Sequence, residues 1–218
     1  EGGLTPSAGL LAQTCNIPQL ETHVLIRPRS GDFLYNQDEV DVMLHDIQLA
    51  RQLGARGIVI GALTSNGDID IDIMQALIRQ AGPMEITFHR AFDMCRKPLE
   101  ALQAITSLGC HYLLTSGQAA NAFEGQDLLR QLVQLTTDSP IVVMAGGGIN
   151  SQNVVSLAQA TGITTFHASG SQWVNSNMEY CQSNVSLSTK VSSNEYATLQ
   201  TSSDEIRSIL DMLQSMEN

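Results

Sequence analysis

Three side chains that could carry chemistry stand close together in the sequence: His89, Arg90 and Asp93. The imidazole of His89 is a general acid or base, a metal ligand, or a buried and hydrogen-bonded core histidine. Strand alternation sends His89 and Arg90 to opposite sides, and we expect His89 to face inward because Phe88 should point outward under a helix. Asp93 belongs either to the same site or to the N-cap of the helix that Pro98 begins. His89 and Asp93 are the predicted catalytic residues.

Two arginines, Arg27 and Arg29, flank Pro28 directly after a short apolar run. Their planar guanidinium groups suit carboxylate or phosphate, which they bind through two parallel hydrogen bonds. The alternative is a structural ion pair with Asp32 or Glu1. Both arginines are candidates for contact with an anionic ligand.

Further polar residues and a glycine turn follow other apolar runs. Backbone amides of a triple-glycine turn, aimed by the N-terminus of a helix, can hold a phosphate, although such a turn is often only a tight connection. Together with the arginines, the predicted ligand-binding residues are Arg27, Arg29, Thr64, Thr115, Ser116, Gly146, Gly147, Gly148, His167 and Ser169. Asp68 and Asp70, near Thr64, could help to hold a cation, but carboxylates at a helix start explain them as well.

The elements that must position these residues repeat along the chain. Six apolar runs, at 23–26, 57–60, 85–88, 112–114, 141–144 and 164–166, each end on polar residues and precede a helical pattern. Continuous apolar runs are typical of parallel strands that helices cover on both faces. Polar strand ends then meet at one edge, where βα barrels build their sites. The six runs therefore predict an α/β fold of about six parallel strands. Because a closed barrel needs eight strands, six are too few to close one.

The chain of 218 residues reads as a single domain spanning 1–218. A stretch from about 171 to 201 is rich in Ser, Asn and Gln, which favours a long ordered loop or lid. A final helix is predicted at about 202–216, where Ser202 precedes a striped apolar pattern.

Composition excludes several classes of partner. The net charge of −11 disfavours nucleic acid and anionic membrane surfaces, both of which need a basic face. No apolar run approaches the ~20 residues that span a membrane. The four cysteines are scattered without a CxxC pair, a usage that favours the reducing cytoplasm.

The strand ends carry motifs that resemble the CutC family, named for copper homeostasis. They are EGGLTPS at 1–7, IRPRSGDF at 26–33, TFHRAFD at 87–93, LTSG at 114–117, GGGI at 146–149 and FHAS at 166–169. The resemblance implies a TIM-type (β/α) barrel, here incomplete because the first strand, first helix and second strand are missing. The triple glycine and the motif around His167 then follow strands seven and eight, a frequent phosphate site in TIM barrels.

Two function hypotheses follow. The resemblance implies a cytoplasmic protein of copper homeostasis that binds copper, as Cu(I), for which Cys95 is the one remaining soft ligand beyond a strand end. The residues themselves favour an enzyme-like site for a small anionic or phosphorylated metabolite, with His89 as acid or base and Arg27 for anion recognition. The sequence leaves open whether the protein is an enzyme and which of these two ligands it takes. A homo-oligomer is a further expectation, since unpaired edge strands invite pairing with another chain.

Overall fold

The computed structural model describes residues 3–182, 184–185 and 195–216. The strands are β1 His23–Leu25, β2 Gly57–Ile60, β3 Glu85–Phe88, β4 Tyr112–Thr115, β5 Val142–Gly146, β6 Thr165–His167, β7 Ser171–Asn175 and β8 Ala197–Thr201. The helices are α1 Ala8–Cys15, α2 Gln37–Gln52, α3 Ile71–Ala81, α4 Pro98–Ser107, α5 Gln126–Leu135, α6 Val154–Thr161 and α7 Ser203–Gln214. A short 3₁₀ helix, Arg90–Met94, follows β3. None of the helices in these ranges is long and apolar enough to cross a membrane.

Within the described residues, β1 to β6 form one sheet in which each strand pairs in parallel with the next along the chain. Ile58 of β2, for example, lies opposite Ile86 of β3. This confirms the predicted α/β architecture with six parallel strands, the TIM-type arrangement short of the eight that close a barrel. The strands β1 and β6 therefore lie at the two edges of the sheet.

Helices form the outer layer, and their caps follow from local sequence. At the start of α2 the Asn36 side chain accepts from the Glu39 backbone amide, while the Glu39 carboxylate accepts from the Asn36 amide, a complete capping box. The apolar residues of α2 lie on the face of the helix that is turned towards the sheet, and two of them, Met43 and Ile47, are fully buried. Burial on both faces explains why the strands read as unbroken apolar runs.

The polar region beyond β6 has more regular structure than its composition predicts. Strands β7 and β8 pair antiparallel, with Trp173 opposite Leu199. Residues 183 and 186–194, which belong to the predicted loop or lid, lie outside the described residues. The final helix α7 begins one residue after Ser202, whose hydroxyl accepts from the Glu205 amide. The first residues of β7 and of α7 thereby lie beside each other, next to the ends of β5 and β6.

Candidate functional site

His89 is the first residue after the carboxyl end of β3. It is the N-cap of the 3₁₀ helix, and its Nδ1 accepts a 3.2 Å hydrogen bond from the Ala91 backbone amide. The imidazole proton is therefore on Nε2, which is buried and has no hydrogen-bond partner among the described residues. The ring packs against Gly61 so closely that a Cβ there would lie 2.6 Å from Cε1. Phe33 lies on the ring with centroids 5.0 Å apart.

Burial lowers the pKa of His89 to about 4, and the nearby charge of Arg27 acts in the same direction. The imidazole is thus neutral at pH 7. Because its Nδ1 lone pair is already occupied, the group offers a ligand only the Nε2 hydrogen. This geometry favours a neutral hydrogen-bond donor over the general base that the sequence suggested.

The Arg27 side chain joins the segment before α1 to the loop after β1. Its Nη1 donates to the Gly3 carbonyl at 3.1 Å and its Nη2 to the Gly31 carbonyl at 2.8 Å. The side chain is buried, and its guanidinium stacks 5.1 Å from the Phe33 ring centroid. These contacts match the structural alternative more closely than contact with a ligand, and the two partners named here are backbone carbonyls. Glu1 lies outside the described residues.

Arg29 is likewise engaged with protein groups. It forms ion pairs with Glu39 and with Asp32, and its Nη2 also donates to the Leu34 carbonyl at 2.7 Å. The Asp32 pair is the structural alternative that the sequence offered. Both arginines after β1 therefore serve the loop that leads from β1 to α2.

Asp93 accepts hydrogen bonds from the end of β4, from the turn that follows it and from Arg90. The donors are the Thr115 hydroxyl, the backbone amides of Ser116 and Gln118 at 3.1 Å, and the Arg90 Nε at 2.7 Å. The helix after it takes Lys97 as its N-cap, so the N-cap alternative for Asp93 is wrong. A carboxylate with so many donors fixes the position of the residues around it. Thr115 and Ser116, predicted to bind ligand, direct these donors at Asp93.

Gln118 completes this turn in an unusual conformation. Its φ of 56° makes it the one non-glycine residue with positive φ in the described part of the chain. That conformation aims its amide at Asp93, and its side-chain amide donates to the carbonyls of Phe92 and Cys95 at 3.1 and 2.6 Å. The ends of β3 and β4 are thereby tied into one rigid unit.

Arg90 is the residue that sequence reasoning missed. The strand ends at Phe88, so alternation does not send Arg90 away from the site. Its Nε is held by Asp93 and its Nη2 donates to the Ser116 hydroxyl at 2.8 Å. A Cβ on Gly147 would lie 3.5 Å from Arg90 Nη1, so the third nitrogen lies over the glycine turn. The Arg–x–x–Asp spacing, which fits one helical turn, was the available signal that the strand had ended.

The glycine turn lies between Arg90 and His167. Gly147 and Gly148 have φ of 102° and 76°, a region that side-chain-bearing residues rarely adopt. A Cβ on Gly146 would lie 3.4 Å from the His167 Cβ. Desolvation by the surrounding atoms lowers the pKa of His167, and the Arg90 charge lowers it further. The structure thus brings the predicted glycines and His167 together with an arginine that the sequence did not select.

Two further residues were predicted to bind a ligand, Thr64 and Ser169. Thr64 closes a turn in which its hydroxyl accepts from the Asp68 amide at 3.2 Å, while Asp68 binds Arg96 through two 2.7 Å hydrogen bonds. Asp70 is the N-cap of α3, as expected for a carboxylate at a helix start, whereas Asp68 has a different structural role in its pair with Arg96. Ser169 is exposed, with its hydroxyl 3.2 Å from that of Ser171.

Cys95 is buried, and its Sγ lies 3.4 Å from the Gln118 side-chain nitrogen. Burial raises the pKa of its thiol, so the proton competes with any metal for the sulfur. Across the described residues there is no group of three or more His, Cys, Asp or Glu side chains that could hold a metal ion.

Comparison with known proteins adds the family. The family model described as "CutC family" matches residues 1–172. The chain belongs to the CutC family. A CutC family protein of Pasteurella multocida is 50% identical over 179 residues, which cover 82% of this chain and 73% of the relative. One of Bacteroides thetaiotaomicron is 43% identical over 216 residues, covering 99% of this chain and 86% of the relative.

A solved structure agrees with the fold. A CutC protein of Streptococcus agalactiae, to which a role in copper homeostasis has been assigned provisionally, superposes with a TM-score of 0.72 at 31% identity. The match covers 76% of this chain and 82% of that one. The CutC resemblance predicted from the strand-end motifs is therefore confirmed.

Proposed function

We propose that the carboxyl-end rim of the sheet binds a small anionic, phosphorylated metabolite, with the anion between Arg90 and the turn Gly146–Gly148. One observation carries the proposal: Arg90 is fixed through Nε and Nη2 while its Nη1 lies over Gly147. A pre-positioned guanidinium beside backbone amides in positive-φ conformation is a favourable setting for an oxyanion, because both donor types are charged or polarised and need no reorganisation. The net charge of the whole chain is −11, so the molecule as a whole does not attract anions and binding depends on this local positive group.

His89 supplies the chemical part of the proposal. A neutral imidazole that donates from Nε2 stabilises negative charge on a carbonyl or hydroxyl oxygen in the transition state. Phe33 lies on the imidazole, and we expect this ring to shift when a ligand reaches Nε2. In this role His89 polarises the substrate, and the protein acts as an enzyme on the metabolite that Arg90 anchors.

The test is a calorimetric titration of the protein with inorganic phosphate. We expect Arg90→Gln to weaken phosphate binding at least tenfold, since a charge-assisted hydrogen bond is lost. Arg130→Gln is the matched control: the side chains of Arg90 and Arg130 are 43% and 45% exposed, and each pairs with an aspartate three residues away. Phosphate affinity that is equal in wild type and Arg90→Gln would overturn the proposal. As a second readout, bound phosphate should raise the pKa of His167 in NMR titrations, because it offsets the Arg90 charge.

A second candidate function is copper homeostasis with Cu(I) as the ligand, supported by the similarity to the Streptococcus agalactiae protein. The described residues do not fit a resident copper centre, because Cu(I) prefers thiolate and Cys95 is a buried, protonated thiol. If copper is nevertheless bound through Cys95, Cys95→Ser should abolish Cu(I) uptake and leave phosphate affinity intact. Cys110→Ser is the control, since burial raises the pKa of that thiol to about 12. Equal uptake by both variants would exclude Cys95.

The proposal extends to location and assembly. We place the protein in the cytoplasm, since Cys15, Cys95, Cys110 and Cys181 are all free thiols. A homo-oligomer is proposed because, among the described residues, β1 and β6 are the edge strands of the sheet, and edge strands favour association between chains. Neither nucleic acid nor membrane is proposed as a partner, on the ground of the acidic composition.

A further inference from the structure

A polar cleft of about 540 Å³ lies beside the glycine turn. Its walls are the loop after β5, the loop after β6 with the start of β7, and the first turns of α7. Ile149 is the one large apolar residue that lines it, and the other side chains carry hydroxyl, carboxamide or carboxylate groups. A cleft of this size accommodates a metabolite of several carbons, and its lining is too polar for a hydrocarbon.

The walls of this cleft are fixed to one another by hydrogen bonds. The Glu205 carboxylate accepts from the Ser151 amide at 2.7 Å and from the Ser151 hydroxyl at 3.1 Å, which joins the loop after β5 to α7. The Ser202 amide donates to the Gly170 carbonyl at 2.7 Å, which joins the loop after β6 to the same helix. Gly170 permits this approach, since a Cβ there would lie 2.7 Å from Ile206 Cδ1. The cleft is therefore pre-formed.

The lining chemistry selects among ligand classes. Several of the side chains that line the cleft carry hydroxyls or carboxamides, which combine donors with acceptors as neutral hydroxyl groups require: Ser169, Ser171, Ser208, Asn150 and Gln172. Ser208 and Asn150 already donate to the carbonyls of Asp204 and Gly148, and the hydroxyls of Ser169 and Ser171 bond to each other, so acceptor lone pairs and the Gln172 amide remain for a ligand. An ammonium group would need an available carboxylate. Glu205 is already bound to Ser151, and Asp204 is 90% exposed and lies 3.7 Å from Arg207. A second phosphate would meet these two carboxylates and be repelled.

We propose that this cleft binds the hydroxylated chain of a phosphate monoester, such as a phosphorylated polyol, whose phosphate lies at Arg90 and the glycine turn. Gly148 joins the two parts, because it belongs to the turn and also lines the cleft. The inference rests on the proposed function and names the substrate class of that same site. It predicts selectivity for neutral hydroxyl groups next to a single phosphate.

Four probes test it by calorimetry: inorganic phosphate, ribitol 5-phosphate, pentyl phosphate of the same carbon count, and ribitol. We expect ribitol 5-phosphate to bind at least tenfold more tightly than pentyl phosphate, the effect of about one net hydrogen bond. Gln172→Leu combined with Ser208→Ala should remove this preference without altering the affinity for inorganic phosphate. Gln134→Leu, an exposed carboxamide on α5, is the matched control and should change nothing.

Each other result has a distinct meaning. Equal affinity for ribitol 5-phosphate and pentyl phosphate, with both dependent on Arg90, overturns the assignment of the cleft and leaves the anion site in place. Tighter binding of pentyl phosphate overturns it as well. Ribitol that binds as tightly as its phosphate ester shows that the cleft acts without the anion site and overturns the joint assignment. Failure of every phosphate probe to bind removes the proposed function itself.

Discussion

Asp93 holds Arg90 in place, with its carboxylate Oδ2 2.7 Å from the Arg90 Nε. The same carboxylate accepts from the Thr115 hydroxyl and from two amides of the turn after β4. The ends of two neighbouring strands are thus joined through one side chain that is only 7% exposed. The position of the guanidinium over the glycine turn depends on this contact.

Asp93→Asn should therefore lower both stability and phosphate affinity. The substituted amide would place a donor against several donors, and we expect unfolding to become about 2–4 kcal/mol easier in denaturant titrations. Asp127→Asn is the control, because that carboxylate is exposed and pairs with Arg130 three residues away. If Asp93→Asn retained wild-type phosphate affinity, Asp93 would be a structural residue without influence on Arg90.

The free energy of unfolding should increase as the pH rises from about 4 to 6.5, because His89 has different pKa values in the folded and unfolded chain. Its pKa is about 4 in the folded protein and about 6.5 in the unfolded chain, so the unfolded chain binds more protons in this window. The contribution is complete above pH 6.5 and is lost as the pH falls towards 4, by a few kcal/mol. His89→Gln should flatten this part of the stability profile relative to wild type. Parallel profiles for wild type and His89→Gln would refute the assignment.

Gly61→Ala should destabilise the protein by about 1–3 kcal/mol, because the new methyl would lie 2.6 Å from the His89 ring and 3.1 Å from the Ala91 Cβ. Gly9→Ala tests the opposite case. Gly9 lies within α1, and nothing lies within 4 Å of the added carbon. The substitution Gly9→Ala should therefore stabilise the helix by about 0.5–1 kcal/mol. Thermal unfolding of both variants gives the comparison, and equal shifts would contradict the close packing of His89.

Arg27→Met should lower stability and leave phosphate affinity unchanged. The substitution leaves the carbonyls of Gly3 and Gly31 without their donors, which should cost about 1–3 kcal/mol in denaturant titrations. Phosphate affinity is expected to follow Arg90 and not Arg27. A tenfold loss of phosphate binding in a still-folded Arg27→Met protein would return the anion site to β1.

The sheet could be predicted almost completely from the sequence. The apolar run predicted at 57–60 is β2 and the one at 85–88 is β3, residue for residue, since burial on both faces leaves a continuous signal. The pair β7 and β8 escaped prediction because its residues are mostly polar and exposed, so composition gave no buried face to detect.

The site was harder to predict, for physical reasons. The rim location of the proposed anion site follows from the parallel strands, but the preference for Arg90 over Arg27 depends on partners that leave no pattern in the sequence. Two acceptors for Arg27 are backbone carbonyls of separate loops, which every residue type provides. Arg90 was assigned away from the site by an alternation that had already ended at Phe88.

The order of strands in the sheet bears on how the protein folds during synthesis. Because spatial order equals sequence order from β1 to β6, each strand that emerges from the ribosome finds its partner in the segment translated just before it. Loop closure never spans more than one strand–helix unit, which keeps its entropic cost low at every step. The chain can thus assemble by successive addition, and the last unit to dock brings the glycine turn's neighbours, His167 and α7, into place.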